Sequence, residues 1–195
     1  MRAYTGDRIR NVAVVGHGSS GKTTLVDALA FVSGTSKRHG SVDDGSSLTD
    51  YSSEEIERKY SITLAPAFAE WQDTKINLID TPGYMDFTGD ALAGVYAADA
   101  ALIVISGTSG VEVGTEKVWD YAQARDLPRL FFVSLMDKEH ADFEKVYKDI
   151  KEHITDKVVP IEIPVGEGTN FHGIINLFSK KCHMFQKGTG SGEYE

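Results

Sequence analysis

The stretch "NVAVVGHGSSGKTT", residues 11–24, decides the fold. Its first five residues are mostly apolar and rich in valine, which is typical of a buried strand. A loop rich in glycine and serine follows, and a helical pattern begins after it. Gly16, Gly21, Lys22 and Thr23 have the spacing of a phosphate-binding loop, in which backbone N–H groups and a helix N-terminus surround an anion. Because strand and helix stand where this motif requires them, we predict that the loop binds the phosphates of a nucleotide.

The residues of this loop have separate expected roles. Its glycines let backbone N–H groups turn toward the anion, and the helix dipole adds to the attraction. Lys22 supplies a positive charge for the β- and γ-phosphates, and the Thr23 hydroxyl is placed to bind Mg²⁺. The predicted nucleotide-binding residues here are Gly16, His17, Gly18, Ser19, Ser20, Gly21, Lys22, Thr23 and Thr24.

Predicted strands and helices alternate along the rest of the chain. Short apolar runs predict buried strands at 11–15, 76–79, 100–105, 129–133 and 158–163. One-sided apolar spacing predicts helices through two sets, Leu25, Leu29 and Val32, and Phe143, Val146, Tyr147 and Ile150. Thr115 is the expected N-cap of a further helix. This alternation predicts an α/β fold with a mostly parallel sheet and helices on both faces.

One predicted strand and the loop before it depart from that pattern. The strand, 61–71, contains Pro66, which cannot donate to a sheet ladder, so we expect it at an antiparallel edge. The loop, 34–54, is polar and rich in glycine and serine. A loop of that length inside a compact domain is either functional or disordered, with a plain linker as the alternative.

A second nucleotide motif, "DTPG", occupies residues 80–83. Asp80 ends an apolar run, and a carboxylate at that end of a strand beside a phosphate loop can hold Mg²⁺ through its water shell. Gly83 can bring a backbone N–H against a γ-phosphate. By itself this motif also fits an ordinary turn, but its distance along the chain from Lys22 favours the nucleotide site.

A third candidate, Asp137, follows the apolar run 129–133. Its carboxylate can accept hydrogen bonds from the N1–H and the exocyclic amine of guanine, whereas adenine offers no such pair of donors. A site built around that carboxylate would therefore reject adenine, since the buried acceptor would be left unpaired. The alternative is that Asp137 caps the helix that follows.

The bulk composition narrows the class of protein. The chain has 195 residues, 41% of them hydrophobic, which suits one substantial globular domain. The net charge of −9 gives no overall basic field, so direct DNA binding is not expected. The longest apolar run, 100–106, is far too short to span a bilayer, and the N-terminus does not have the pattern of a secretory signal. The single cysteine, Cys182, suits a reducing cytoplasm.

Several of these stretches together resemble the GTP-binding domain of elongation factor G and its paralogues. The similar stretches are "NVAVVGHGSSGKTTLVDAL", "DYSSEEIERKYSITL", "LIDTPGYMDFTGD", "AADAALIVISGTSGVEVGTEKVWDYA", "LPRLFFVSLMDK" and "VPIEIPVGEGTNFHGIINLFSKKCHMF". The resemblance covers nearly the whole chain. It implies a P-loop, Ras-like doubly wound sheet, and a GTP-binding domain over 1–165.

The resemblance also divides the chain into functional segments. It implies a first switch segment over about 34–61 and a second over about 81–98. Residues 166–195 resemble the beginning of the insert that distinguishes this family, with its extra strand starting near Gly173. The last guanine-contacting motif of the family is not found after Asp137, so we expect the chain to be an N-terminal fragment.

Carried over residue by residue, the family's functional set is only partly present. Ser61 stands in place of the threonine that closes over Mg²⁺ and keeps its hydroxyl. Tyr84 stands in place of the histidine that orients the attacking water, and a phenol is a poor base. Ser134 and Leu135 replace the asparagine and lysine of the guanine motif, in which Asp137 is kept. Within the phosphate loop, Gly18 replaces an apolar residue and Ser19 replaces an aspartate.

The resemblance implies that the chain binds GTP and GDP with Mg²⁺. It further implies slow intrinsic GTP hydrolysis by a cytoplasmic monomer. The full-length factor would hydrolyse GTP on the ribosome, at the large-subunit GTPase centre, to drive translocation or a related step. The implied catalytic residues are Lys22, Ser61, Gly83 and Tyr84, and the implied Mg²⁺ ligands are Thr23, Ser61 and Asp80. Two alternatives stay open: a degenerate paralogue that binds nucleotide with little hydrolysis, and an ATP-using P-loop enzyme, which Asp137 and the insert disfavour.

Overall fold

A computed structural model describes residues 3–185 and the backbone of residues 192–194. The chain divides into two compact units, each formed by two segments. The first consists of Met1–Val104 with Val113–Phe132, and the second of Ile105–Glu112 with Val133–Glu195. Within the described residues, no helix has both the length and the apolar character that crossing a membrane would require.

A five-stranded sheet in the order β2-β3-β1-β4-β5 carries the nucleotide motifs of the first unit. Its strands are β1 Ile9–Val15, β2 Ala65–Trp71, β3 Thr74–Asp80, β4 Ala100–Ser106 and β5 Arg129–Ser134. The central strand β1 runs parallel to both of its neighbours, with Val14 opposite Asp80 on β3 and opposite Leu102 on β4. The ends of β1 and β3 therefore lie side by side, and this places the first two sequence motifs next to each other.

The antiparallel edge strand predicted from Pro66 is confirmed. Strand β2 pairs antiparallel with β3, and Pro66 lies opposite Ile79. The strand is shorter than the predicted 61–71, since residues 61–64 form irregular structure before it. An edge position suits proline because one side of the strand needs no ladder hydrogen bonds.

Four α-helices of the described residues belong wholly to the first unit: α1 Lys22–Val32, α2 Ser53–Arg58, α3 Thr88–Ala97 and α4 Val113–Ala124. Helix α1 packs against β1, β2 and β3. Its Val26 joins a buried cluster with Val14, Ala69, Leu78 and Val104 from four strands. Burial of such aliphatic side chains is worth roughly 1.5–3 kcal/mol for each larger one, so this cluster fixes the start of α1 against the sheet.

Two helix predictions need correction in detail. Helix α1 is confirmed, but it buries Val26 and Ala30, whereas Leu29 and Val32 are exposed. Thr115 is not an N-cap, because α4 begins two residues earlier at Val113, and the side chain of Thr115 is buried within the helix. The preference of threonine for caps is weaker than the packing that buries this residue.

Among the described residues, the second unit contains one α-helix and a sheet of its own. Helix α5, Phe143–His153, buries Val146 and Ile150 as its periodicity predicts. The sheet is antiparallel, in the order β6-β7-β8-β9, with β6 Glu162–Val165, β7 Gly173–Asn176, β8 Lys181–Phe185 and β9 Gly192–Tyr194.

The run 158–163 is therefore not a strand of the parallel sheet. Only Glu162 and Ile163 of that run enter β6, which pairs with β7. Strand β7 begins at Gly173, as the resemblance predicts for the insert. The boundary between 165 and 166 stays a prediction, and residues 186–191 and 195 of the predicted insert lie outside the described residues.

Candidate nucleotide-binding site

Two glycines give the phosphate loop its conformation. Gly16, directly after β1, has φ +148°, and a Cβ there would lie 2.3 Å from the carbonyl oxygen of Val104. Gly21 has φ +87° and is the N-cap of α1. A side chain would strain both backbones and would not fit at Gly16. Since α1 begins at Lys22, the N–H groups of its first turn have no partner within the helix and form a natural anion site.

The Lys22 side chain lies between the phosphate loop and Gly83. Its ammonium group donates a hydrogen bond to the carbonyl oxygen of His17 at 2.7 Å. A Cβ on Gly83 would lie 2.3 Å from Nζ of Lys22 and 2.7 Å from the backbone nitrogen of Gly18. Thr81 holds this segment in place, because its hydroxyl donates to the carbonyl oxygen of Val14 at 2.8 Å. The two sequence motifs thus meet around one buried ammonium group.

Three predicted Mg²⁺ ligands lie near this ammonium group. The hydroxyl oxygens of Thr23 and Ser61 are 3.0 Å apart, and the carboxylate of Asp80 is buried at the end of β3. Thr49 donates to Oδ2 of Asp80 at 2.6 Å, while Oδ1 is buried without a hydrogen-bond partner among the described residues. Hydroxyl and carboxylate oxygens of this kind fit Mg²⁺, which binds few protein ligands and completes its shell with phosphate and water oxygens.

The charge on Asp80 depends on its surroundings. Burial raises the pKa of Asp80 from its ordinary 3.8 to about 6, against the opposing effect of the Thr49 and Thr23 hydroxyls and of the Lys22 charge. A cation bound beside this carboxylate would favour its charged form.

The raised pKa of Asp80 makes the stability of the metal-free chain depend on pH. A carboxyl whose pKa is raised by folding stabilises the fold below its unfolded pKa, and that contribution is lost as pH rises through the folded value. We therefore expect Asp80 to lower the free energy of unfolding, by about 3 kcal/mol in total, as pH rises from below 3.8 to above about 6. Denaturant titrations across this range, in chelator, should show a smaller fall for Asp80→Asn. Parallel curves for the two proteins would contradict the assignment.

Two further buried carboxylates near this site were missed by the sequence reasoning. Asp27 of α1 is fully buried, and its Oδ1 accepts the N–H of Leu48 at 2.9 Å. Asp50 is also buried, and neither of its oxygens is hydrogen-bonded within the part of the chain that the structure describes. Burial raises the pKa of Asp50, and the Ser61 hydroxyl opposes that effect. Both residues lie in stretches without a local motif, so only the folded chain brings them here.

Glu55 organises the backbone of residues 52–63, which include the end of the predicted first switch segment. Ser52 and Glu55 form a capping box at the start of α2, with each side chain bonded to the backbone of the other. Oε1 of Glu55 also accepts the N–H groups of Ile62 and Thr63 at 3.0 and 3.1 Å. Burial alone raises the pKa of Glu55, but these N–H groups outweigh it and hold the pKa below its ordinary value. Glu55 thereby fixes the backbone beside Ser61, and the Ser-x-x-Glu spacing in the sequence is a signal that could have revealed it.

We expect Glu55→Gln to destabilise the chain by about 1–3 kcal/mol, because an amide offers one acceptor oxygen where a carboxylate serves several N–H donors. The matched control is Glu54→Gln, since Glu54 is exposed and bonds only the neighbouring Ser53 hydroxyl among the contacts described. This control should change stability by less than about 0.5 kcal/mol. Urea denaturation at neutral pH measures both, and equal effects would show that the buried acceptor does not matter.

The remaining predicted residues in and beside the phosphate loop differ in exposure and in hydrogen bonding. Nδ1 of His17 accepts the N–H of Gly114 at the start of α4, at 3.2 Å. Ser20 is buried, whereas Ser19 and Thr24 are exposed. Tyr84 is 39% exposed, and its hydroxyl lies 3.3 Å from that of Ser19. The predicted site residues of the first unit thus lie in or beside the phosphate loop, and Thr24 follows the loop as an exposed residue of α1.

The predicted base-reading residues lie in the second unit. The buried Ser134 donates its hydroxyl to the carbonyl oxygen of Ile105 at 3.1 Å. Leu135 has φ +56°, a strained conformation for a bulky side chain, and such strain is often found at functional sites. Asp137 is 64% exposed and lies 3.8 Å from the Lys138 ammonium, so its carboxylate is not the buried acceptor that the sequence reasoning assumed. It does not cap α5, because the N-cap is Asp142, whose carboxylate accepts the N–H of Lys145.

The phosphate loop, Lys22, Asp80 and the sheet order define a P-loop nucleotide-binding domain. A family model described as the elongation factor Tu GTP binding domain matches residues 7–186. A crystal structure of a protein from Thermus thermophilus is also similar, with a TM-score of 0.90 and 35% identity over 97% of this chain. This chain spans only 28% of the length of that relative.

The chain therefore belongs to the family of elongation factor Tu GTP binding domains. The resemblance to the GTP-binding domain of an elongation factor G-like protein, inferred from the sequence motifs, is confirmed as far as this domain extends.

Proposed function

We propose that this chain binds GTP and GDP together with Mg²⁺ and hydrolyses GTP slowly, as part of an elongation factor G-like translation factor. One observation carries the proposal: the Lys22 ammonium is buried between His17 and Gly83, and a Cβ at either Gly16 or Gly83 would clash with the surrounding backbone. Such an arrangement suits a multiply charged phosphate chain, which replaces backbone carbonyl oxygens as the partner of the ammonium.

The chain's own residues have defined tasks in this proposal. Lys22 places positive charge against the β- and γ-phosphates, and Gly83 offers a backbone N–H to the γ-phosphate. Thr23, Ser61 and Asp80 would hold Mg²⁺, which supplies charge neutralisation at the phosphates when bound. Water then attacks the γ-phosphorus in line with the departing GDP, with Tyr84 beside the loop as the group that orients it.

Guanine selectivity is assigned to Asp137 and its neighbours. The carboxylate of Asp137 accepts from N1–H and from the exocyclic amine, and the apolar Leu135 side chain covers the base in place of the family's lysine stem. The side chain of Asp137 is 64% exposed, so these donors can reach its carboxylate.

The runner-up function is nucleotide binding with little or no hydrolysis, in a regulatory, ribosome-binding or tetracycline-protection-like role. Tyr84 favours it, because its hydroxyl lies beside Ser19 and a phenol is less able than imidazole to orient and polarise water. Action on the ribosome in the cytoplasm, translocation as the driven step, and a monomeric state belong to the proposal for the whole protein.

Calorimetric titration of the chain in Mg²⁺ with GDP, a non-hydrolysable GTP analogue and ATP tests the binding proposal. We expect micromolar binding of both guanine nucleotides and no heat from ATP. Equal binding of ATP would contradict the assignment of Asp137 and favour an ATP-using enzyme. Binding without turnover, measured on the full-length protein with ribosomes, would instead support the runner-up function.

A further inference from the structure

Tyr84 has an aromatic partner that the sequence motifs do not identify. The ring centroids of Tyr60 and Tyr84 are 4.8 Å apart, with an angle of 59° between the ring planes. This is a favoured tilted geometry for an aromatic pair. Tyr60 also lies 6.5 Å from the Phe87 ring, and its hydroxyl accepts a hydrogen bond from Arg58 at 3.2 Å. Tyr60 therefore contacts three side chains, those of Tyr84, Phe87 and Arg58.

Gly18 leaves room for the ring of Tyr84. A Cβ at Gly18 would lie 3.0 to 3.2 Å from three carbon atoms of that ring. Such distances are tighter than ordinary van der Waals contact, so with an alanine there the ring would have to move by a few tenths of an ångström. Glycine therefore suits position 18 because it has no side chain that would press on the Tyr84 ring.

The Tyr84 hydroxyl completes the arrangement, since it lies 3.3 Å from the hydroxyl of Ser19 in the same loop. The Tyr84 ring thus packs against the Tyr60 ring and close to Gly18, and its hydroxyl lies beside that of Ser19. Three departures from the family pattern, at positions 18, 19 and 84, are in mutual contact. The residue that supports them, Tyr60, directly precedes the proposed Mg²⁺ ligand Ser61.

We propose that Tyr60 is a positioning residue for Tyr84, holding the phenol over Gly18 and against Ser19 so that it can orient water at the phosphate loop. Tyr60 acts only through the ring of Tyr84. The kinetic part of this inference rests on the proposed GTP hydrolysis, whereas the positional part does not.

The positional part is tested by nuclear Overhauser contacts between the Tyr84 ring protons and the Hα protons of Gly18. We expect these contacts in the parent chain and in Tyr60→Phe, which keeps the ring. They should be lost in Tyr60→Ala, which removes the partner. In Gly18→Ala, which leaves Tyr60 intact, the ring must move by only a few tenths of an ångström, so its contacts with the Hα and methyl protons of residue 18 should persist. Thermal unfolding of each variant establishes that it is folded.

The kinetic part is tested by single-turnover GTP hydrolysis together with GDP affinity. Tyr60→Ala should lower the rate constant about tenfold, because misplacing an orienting group is costly, with the Kd for GDP within about twofold of the parent. Tyr60→Phe, which keeps the aromatic ring, should hydrolyse GTP at the parent rate. In a Tyr84→Ala background, Tyr60→Ala should have no further effect. The control is Tyr51→Ala, which removes an exposed ring from the same segment.

Two results would overturn the inference. One is the persistence of parent-strength contacts between Tyr84 and Gly18 in Tyr60→Ala. The other is a Tyr60→Phe protein that behaves like Tyr60→Ala, which would assign the effect to the Arg58 hydrogen bond. If the parent hydrolyses no GTP, the proposed function fails, but the Overhauser contacts still decide whether Tyr60 positions Tyr84.

Discussion

Replacing Gly83 by alanine is expected to lower the rate of GTP hydrolysis about 100-fold or more, since the added Cβ would displace the backbone N–H that faces the γ-phosphate and the Lys22 ammonium beside it. The added Cβ would lie 2.3 Å from Nζ of Lys22, 2.6 Å from the carbonyl oxygen of His17 and 2.7 Å from the backbone nitrogen of Gly18. Two of these atoms are backbone, so the loop cannot yield by rotating a side chain. Overpacking of this kind also costs about 1–3 kcal/mol of stability.

Gly89→Ala is the matched control for this prediction. Gly89 lies in the first turn of α3, and a Cβ there would meet nothing within 4 Å. Alanine is the better helix former, so this variant should be as stable as the parent or more so. Single-turnover hydrolysis and thermal unfolding of both proteins check the prediction. A Gly83→Ala protein that hydrolyses GTP like the control would show that the loop can accommodate the methyl group.

Asp137→Asn is expected to reverse the choice of base, lowering GDP affinity about 1000-fold relative to xanthosine diphosphate. Asparagine presents one acceptor and one donor, so its amide N–H₂ would oppose the exocyclic amine of guanine. Xanthine carries an oxygen in place of that amine and would accept from the amide instead. The fold should tolerate the change, because the only described ion pair of Asp137 is an exposed one with Lys138, and such pairs contribute little.

Competition between GDP and xanthosine diphosphate for a fluorescent nucleotide measures this change. Asp156→Asn removes the same charge from an exposed position and should leave the preference for GDP intact. A variant Asp137→Asn that still prefers GDP would mean that another group reads the base. This result would also weaken the case for GTP as the substrate.

The phosphate half of the site could be predicted from sequence because its chemistry is local. Gly16, Gly21, Lys22 and Thr23 have fixed spacing within one strand–loop–helix unit, and the structure places them as that unit requires. Asp80 was found because parallel strands end at the same edge of the sheet. In both cases the conformation of a few consecutive residues is enough to determine the geometry.

The parts that escaped prediction depend on distant contacts. Nothing in the sequence around Asp27 indicates that its carboxylate binds the N–H of Leu48. Likewise, the ring contact of Tyr60 with Tyr84 joins residues from separate segments. The run 158–163 illustrates a different failure, because apolar character predicts a strand without saying which sheet it joins.

The acceptor role of Glu55 has a consequence for motion. One carboxylate holds the N–H groups of Ser52, Ile62 and Thr63, at both ends of the segment that contains α2. These three amides cannot be released one at a time without leaving a buried charge short of donors. Segment 52–63 should therefore open as a single cooperative unit, with the three amides exchanging their hydrogens for deuterium at closely similar rates. Acidification that protonates Glu55 would lower the protection of all three amides together, relative to their intrinsic exchange rates at that pH.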